Sequence, residues 1–295
     1  VFGVTKGLAK KYSRKRVIDT PIAEHITLST AVGAAATGLR PIAELMFNDF
    51  IGFGLDPILN QGAKMRYMFG GKAKIPLVVR TVHGAGASAA AQHSQSLYNM
   101  FAAIPGVKVV VPSNPYDAKG LLMSAIQEDN LVVFSEDKTL LGQKGNVPEE
   151  PYTIEIGKAN VTREGDDLTI VAIGKMVAVA EETAEKLAED QVSVEVIDLR
   201  SVSPWDQETV LDSVKKTGRL IVIDESNPQC NIAGDVASVI GDVGFDYLDG
   251  PIKKVTAPDT PVPFAANLEA AYMPNADKVL DIASELIDDL KKANA

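Results

Sequence analysis

The 295-residue sequence contains a single cysteine, Cys230, three histidines and one tryptophan, and little concentrated positive charge. A lone cysteine excludes an internal disulfide, and three scattered histidines without ligand spacing carry no zinc signature. No apolar run reaches the roughly 18 residues needed to span a bilayer, and no basic head precedes an apolar stretch at the N-terminus. A protein neither exported nor embedded in a membrane follows, with a reducing cytoplasm as its expected compartment. No Lys/Arg cluster exceeds KKYSRKR at 10–16, and the net charge is −10 with a pI near 4.9. Such a surface repels phosphate backbones and anionic lipid, so neither nucleic acid nor membrane is an expected partner. The chain also opens without methionine, on VFGVTKGL, which reads as an element already inside a domain. The first domain is therefore expected to be N-terminally incomplete.

What is present is globular: 46% hydrophobic and 23% charged residues, in a length that favours two domains. Short β-branched runs alternate with helical patterns throughout, which predicts an α/β fold of two open, mostly parallel sheets. In the first half RVID (16–19), PIAEL (41–45), IPLVVRT (75–81), VKVVVPS (107–113) and LVVFSED (131–137) read as strands. Helices are expected at 23–37, 54–67, 92–103 and 115–127. The Gly-, Pro- and charge-rich stretch at 140–167 reads as a linker, giving domains at 1–145 and 167–295 around a linker at 146–166. Beyond it, LTIVAIG (168–174), VSVEVIDLR (192–200) and RLIVIDES (219–226) are strands, with helices at 177–189, 206–216, 231–242 and 276–292. Sheets of this kind bind ligands beyond the carboxyl ends of their strands.

The segment 19–47, DTPIAEHITLSTAVGAAATGLRPIAELMF, carries the most chemistry. Thr20 is placed to cap a helix, Pro21 to occupy its first position and Glu24 to fall in the first turn. A glutamate there is ordinarily a solvated residue favouring the helix dipole. Its apolar neighbours Ile22 and Ala23 and the small-residue run behind it imply instead a carboxylate in need of a partner. HGAGASAAAQHSQ (83–95) matches a loose GxGxxA pattern running into an Ala-rich helix, but VKVVVPSN lacks the acidic residue a nicotinamide site requires. His93 within it has a capping or packing role as its bland reading. Phe47, Phe50 and Phe53 recur every third residue, a core stripe or a face on which a heterocycle stacks. Cys230 has no histidine in its half of the chain to serve as base, and reads as inert.

RVIDTPIAE (16–24), AVGAAATGLRPIAE (31–44), KMRYMFGGK (64–72), AAQHSQSLY (90–98), KVVVPSNPYDAKGLL (108–122), EVIDLRSVSPWD (195–206) and VTAPDTPVPFAANLE (255–269) together resemble the beta subunits of two-subunit 2-oxo acid dehydrogenases, acetoin dehydrogenase most closely. The resemblance implies a transketolase-like pyrimidine domain followed by a transketolase C-terminal domain. It implies that Glu24 is the catalytic carboxylate that bonds a ring nitrogen of thiamine diphosphate, with Ile22, Met46 and Phe50 shaping the pyrimidine pocket. His93 matches a histidine at the active-site mouth that aids proton transfer during acyl transfer to lipoamide. Ala125, Glu128 and Asn130 match a structural potassium site. At position 53 some relatives carry a polar residue where this chain has Phe53.

The GDG segment that holds the cofactor's diphosphate through a divalent metal is absent from the sequence. The resemblance therefore implies that Mg2+ is bound mainly by a partner alpha subunit, in an α2β2 heterotetramer that serves a dihydrolipoamide acyltransferase. The implied reaction is cleavage of acetoin with transfer of an acetyl group to lipoamide. Oxidative decarboxylation of pyruvate or a branched-chain 2-oxo acid is the alternative, and a non-catalytic docking subunit is a reading from another class.

Overall fold

The structure is a computed structural model that describes residues 3–293. Ten strands follow one another as β1 (Ile42–Leu45), β2 (Val78–His83), β3 (Lys108–Val110), β4 (Val132–Asp137), β5 (Asn160–Arg163), β6 (Leu168–Ala172), β7 (Val194–Asp198), β8 (Ser201–Ser203), β9 (Leu220–Asp224) and β10 (Lys253–Thr256). They form two five-stranded sheets, ordered β1-β2-β4-β3-β8 and β10-β9-β6-β7-β5. Each sheet is parallel except for one antiparallel edge strand, β8 in the first and β5 in the second. Every residue of β2, β6, β7 and β9 is buried, because helices cover both faces, and this is why those strands are mostly apolar rather than alternating, with Arg80, His83, Glu195 and Asp198 buried among them.

Helix boundaries follow from local chemistry. Helix Pro115–Gln127 starts where the Asn114 side chain accepts from Asp117 N, with proline in the first position. Asp206 and Asn231 cap Gln207–Thr217 and Ile232–Val243 in the same way, and the former stops at Gly218, whose φ of 67° lies in the left-handed region.

β8 belongs by sequence to the second half but pairs with β3, Val109 opposite Ser203 and Val110 opposite Ser201. The junction is tightened by Ser113 Oγ, which donates to Asp198 Oδ2 at 2.5 Å, and by an Arg200–Asp117 ion pair at 2.6 Å. A continuous apolar core runs from Leu28 and Ile58 through Phe101 and Val109 to Trp205, Val222 and Ile240. The two sheets are thus welded, with their strand ends meeting at a seam.

Several expectations need correction. RVID at 16–19 is no strand: Arg16 N and Val17 N both bond Ser13 O in a turn, and Ile18 is 72% exposed with no strand beside it. The helix expected at 54–67 is broken into Ile51–Asp56, a wider turn Pro57–Gly62 and Met65–Met68, because Gly54 leaves helical geometry and Pro57 has no N–H to donate. The helix at 92–103 shrinks to Tyr98–Ala102. β5 falls inside the expected linker, and β8, β10 and helix Ala266–Tyr272 were not foreseen. Among the described residues no helix is long and apolar enough to cross a membrane.

Candidate active site

Glu24 is the first residue of helix Glu24–Ala36, three residues later than a cap at Thr20 and a first position at Pro21 imply. Thr20 does not cap it; its Oγ1 lies 3.5 Å from Thr27 Oγ1 instead. The helix buries only Leu28, Ala31, Val32 and Ala35, on the face turned to the chain. Its opposite face is open, with Ile26 66% exposed, and Ile22 just before it is 79% exposed. Glu24 is half-buried, and none of the described residues bonds its carboxylate. The helix lies against Ile51–Asp56 so closely that a methyl group on Gly54 would overlap Leu28 Cδ1 and approach Glu24 O to 3.7 Å. That contact brings the Glu24 turn beside the aromatic segment that follows β1.

In that segment Phe47 and Phe50 flank His93. The imidazole lies edge-on to both rings, with centroids 5.1 and 5.2 Å away. Met46, at the end of β1, is 39% exposed, and Phe53 is 68% exposed beside Phe50. His93 rides on the segment after β2, which closes on itself where Gly84 N bonds Gln95 O at 3.2 Å. This segment is not the Ala-rich helix that its composition implies, since Ser88 and Ala90 have φ values of 49° and 61°. Its polar groups are taken by distant partners: Asp49 Oδ1 accepts from Gln95 N and Nε2 at 3.1 and 2.9 Å, and Lys138 Nζ donates to His93 O. Tertiary hydrogen bonds here override helix propensity.

Behind this site, where the carboxyl ends of β2, β4, β6 and β9 face one another, sits a buried charged cluster. Glu225 accepts from Lys175 Nζ at 2.5 Å and Ser96 Oγ at 2.8 Å, and lies 3.2 Å from His83 Nε2. Lys175 also meets Asp137 at 3.1 Å, and His83 Nδ1 meets Ser135 Oγ at 2.7 Å. Tyr98 OH donates to Asp224 next door. Burial pushes the Glu225 carboxyl up, but the Lys175 ammonium and His83 outweigh it and hold it far below the usual carboxylate range. Burial, reinforced by the Glu225 charge, leaves Asp137 above its ordinary value. Burial pulls Lys175 down, yet the two carboxylates lift it above the ordinary lysine value. His83, Asp137 and Glu225 offer three ligand atoms within 4.8 Å of one another, the geometry of a cation site. The Lys175 ammonium already supplies that charge, so the cluster is an internal lock. None of its members was singled out from the sequence, although each stands at or just after the end of an apolar strand, where such a search could have begun.

The turn after helix Pro115–Gln127 joins two of the three expected potassium ligands. Glu128 Oε1 accepts from Asp129 N and Asn130 Nδ2 at 3.0 Å each, and its other oxygen pairs with Lys108. Burial raises its carboxyl, but Lys108 draws it below the ordinary value. Arg66 donates to Asn130 Oδ1 at 3.0 Å, and Arg40 donates to the carbonyls of Ile126 and Glu128 at 3.0 and 2.9 Å. The Ala125 side chain is buried in the helix above.

Two welded α/β sheets of this order, with a polar site at the strand ends, define a transketolase-like two-domain protein. Residues 1–144 match the family described as transketolase, pyrimidine binding domain, and residues 157–279 match transketolase, C-terminal domain. A solved structure described as "Split gene transketolase, inactive beta4 tetramer" superposes with a TM-score of 0.79, covering 98% of this chain and 90% of that one at 22% identity. Among curated relatives, "Acetoin:2,6-dichlorophenolindophenol oxidoreductase subunit beta" of Bacillus subtilis (strain 168) is 58% identical over 97% of this chain and 84% of its own length. The subunit of the same name from Cupriavidus necator is 52% identical over 95% of this chain and 82% of its own length. "Pyruvate dehydrogenase E1 component subunit beta" of Rhizobium meliloti (strain 1021) is 44% identical over 95% of this chain and 61% of its own length. The chain belongs to the family of oxidoreductase beta subunits that serve acetoin and 2-oxo acid dehydrogenases.

Proposed function

We propose that the chain is the beta subunit of a thiamine-diphosphate-dependent acetoin dehydrogenase and that Glu24 is its catalytic carboxylate. One observation carries this reading: a half-buried carboxylate without a partner among the described residues, in the first turn of a helix whose outer face is uncovered, with Ile22 and Ile26 exposed beside it. An aminopyrimidine ring fits that setting. Glu24 would bond a ring nitrogen, and Ile22, Met46 and Phe50 would pack the ring. A second polypeptide over Ile22 and Ile26 would then dry the pocket, where a carboxylate–nitrogen bond is strong because water does not compete. When bound, thiamine diphosphate supplies the electron sink for carbon–carbon cleavage.

His93 would give or take a proton at the pocket mouth as the acyl group passes to lipoamide, help worth on the order of 100- to 10,000-fold in rate. Its ring is fixed between Phe47 and Phe50, and its carbonyl by Lys138. Mg2+ is assigned to the alpha subunit, since this chain has no GDG segment and its buried acidic cluster is filled by Lys175. The working assembly is an α2β2 heterotetramer acting with a dihydrolipoamide acyltransferase in the cytoplasm.

Acetoin is favoured over pyruvate or a branched-chain 2-oxo acid by the relatives at 58% and 52% identity. Purified with its alpha subunit and given an artificial electron acceptor, the protein should turn over acetoin at least ~10-fold faster than pyruvate or branched-chain 2-oxo acids, a gap of about 1.4 kcal/mol in the barrier. Faster turnover of a 2-oxo acid would replace the substrate assignment, and no turnover of any would favour a docking subunit. A structural potassium ion is assigned to the turn of Ala125, Glu128 and Asn130. Lys108 and Arg66 engage the two side chains and Arg40 the Glu128 carbonyl, so an ion there would compete with these contacts. Equal thermal midpoints in potassium and sodium buffers would remove that ion from the account.

A further inference from the structure

The loop that carries His93 is gripped from the second domain by a carboxylate that makes no ion pair among the described residues. Glu269, in helix Ala266–Tyr272, is 3% exposed. Its Oε1 accepts from Gly86 N and its Oε2 from Ser88 N, both at 2.8 Å, with Ser88 Oγ at 3.5 Å. The two N–H groups converge because Gly86 and Ser88 both have left-handed backbones, with φ of 104° and 49°, a concave arrangement suited to an anion. Gly86 is required there: its φ is strained for any side chain, and a methyl group would press on Thr139 Cγ2 at 3.2 Å. Burying a carboxylate without a direct ion pair is costly unless its lone pairs are met, and these two backbone donors meet them, with the Lys138 charge near enough to add to the field.

Other second-domain groups hold the same loop at its base. Lys175 Nζ donates to Ala85 O at 2.7 Å, and Ser96 Oγ donates to Glu225. The loop between residues 84 and 96 is therefore held from both domains, by the second at residues 85–88 and 96 and by the first at residues 93–95, and its exposed end presents His93 to Phe47 and Phe50. We propose that Glu269 is a positioning residue for acyl transfer: its carboxylate fixes the loop so that the His93 imidazole stands at the pocket mouth. This role rests on the reading of His93 given above.

The test uses Glu269→Gln in the assembly co-purified with its alpha subunit. Glutamine keeps the shape but sets an NH2 against one of the two N–H donors. Hydrogen exchange at residues 84–96, followed by mass spectrometry, should accelerate ~10-fold or more, the size expected from losing a charge-assisted hydrogen bond. Turnover with a lipoyl acceptor should fall ~10-fold or more through kcat, while turnover with an artificial electron acceptor changes less than about twofold, because acyl transfer alone uses the positioned imidazole. Unchanged exchange at 84–96 overturns the proposal. Faster exchange with equal losses in both assays also overturns it, since that marks a merely structural tie. His93→Ala in the same assays separates the two ideas: undiminished lipoyl turnover there removes the reading of His93 itself, whatever the exchange experiment reports about Glu269.

Discussion

The seam between the sheets and the outer face around Glu24 treat charge in opposite ways. At the seam each ionised group faces an opposite charge, as Glu225 and Asp137 face Lys175, or a convergent set of donors, as Glu269 faces Gly86 and Ser88. On the outer face a carboxylate stands without a bond among the described residues, and Ile22, Ile26 and Phe53 are more than half exposed. A seam whose buried charges are met in this way is held together within the chain. On the proposed reading, the face with an open carboxylate and uncovered apolar side chains is completed by another molecule. The frame and the chemistry are thus segregated, and the loop bearing His93 is the piece that joins them.

Substitutions at the seam should therefore damage folding, and the largest effect is expected at Lys175. Lys175→Met removes the cation that Glu225 and Asp137 share in a dry site, a loss of about 3–5 kcal/mol in urea unfolding. A loss below about 1 kcal/mol would mean the seam is wetter than its burial implies, and the contrast with the outer face would dissolve.

A smaller effect, set by pH, is expected at Asp198. Burial pushes its carboxyl up to about 7, with Asp117 adding to the rise, while Ser113 Oγ, Arg200 N and the Arg200 charge oppose it. A carboxyl that holds its proton more tightly folded than unfolded stabilises the fold most below the unfolded value of about 3.9, and that stabilisation drains away as pH rises toward 7. Asp198→Asn keeps the bond from Arg200 N, turns the Ser113 bond round so that the amide donates to Oγ, and removes the titration. Wild type should lose stability relative to this variant between pH 4 and 7, by at most about 1.4 kcal/mol per pH unit. Parallel stability curves would place Asp198 in contact with water.

Much of this architecture was legible in the sequence. The apolar runs that became β1, β2, β4, β6, β7 and β9, and the Asn-Pro start of helix Pro115–Gln127, announce themselves locally. What escaped was set by distant partners. β8 is three residues long and exists because it pairs with β3, itself expected within VKVVVPS, across about 90 positions of sequence. The alanines at 89–91 read as helix, yet Glu269, Asp49 and Lys138 spend the loop's polar groups elsewhere. The site divides in the same manner. Glu24, Phe50 and His93 stood out through their motifs, and the structure brings the His93 ring onto Phe47 and Phe50. His83, Asp137, Lys175, Glu225 and Glu269 share no motif, and only the meeting of strand ends from both sheets assembles them.

The most direct measurement compares Glu24→Gln with wild type, each co-expressed with the alpha subunit. Assembly and thermal midpoint should be unchanged, because Glu24 supports nothing in the frame, while acetoin turnover should fall by about 100- to 10,000-fold. Turnover within twofold of wild type in a fully assembled protein would contradict the account.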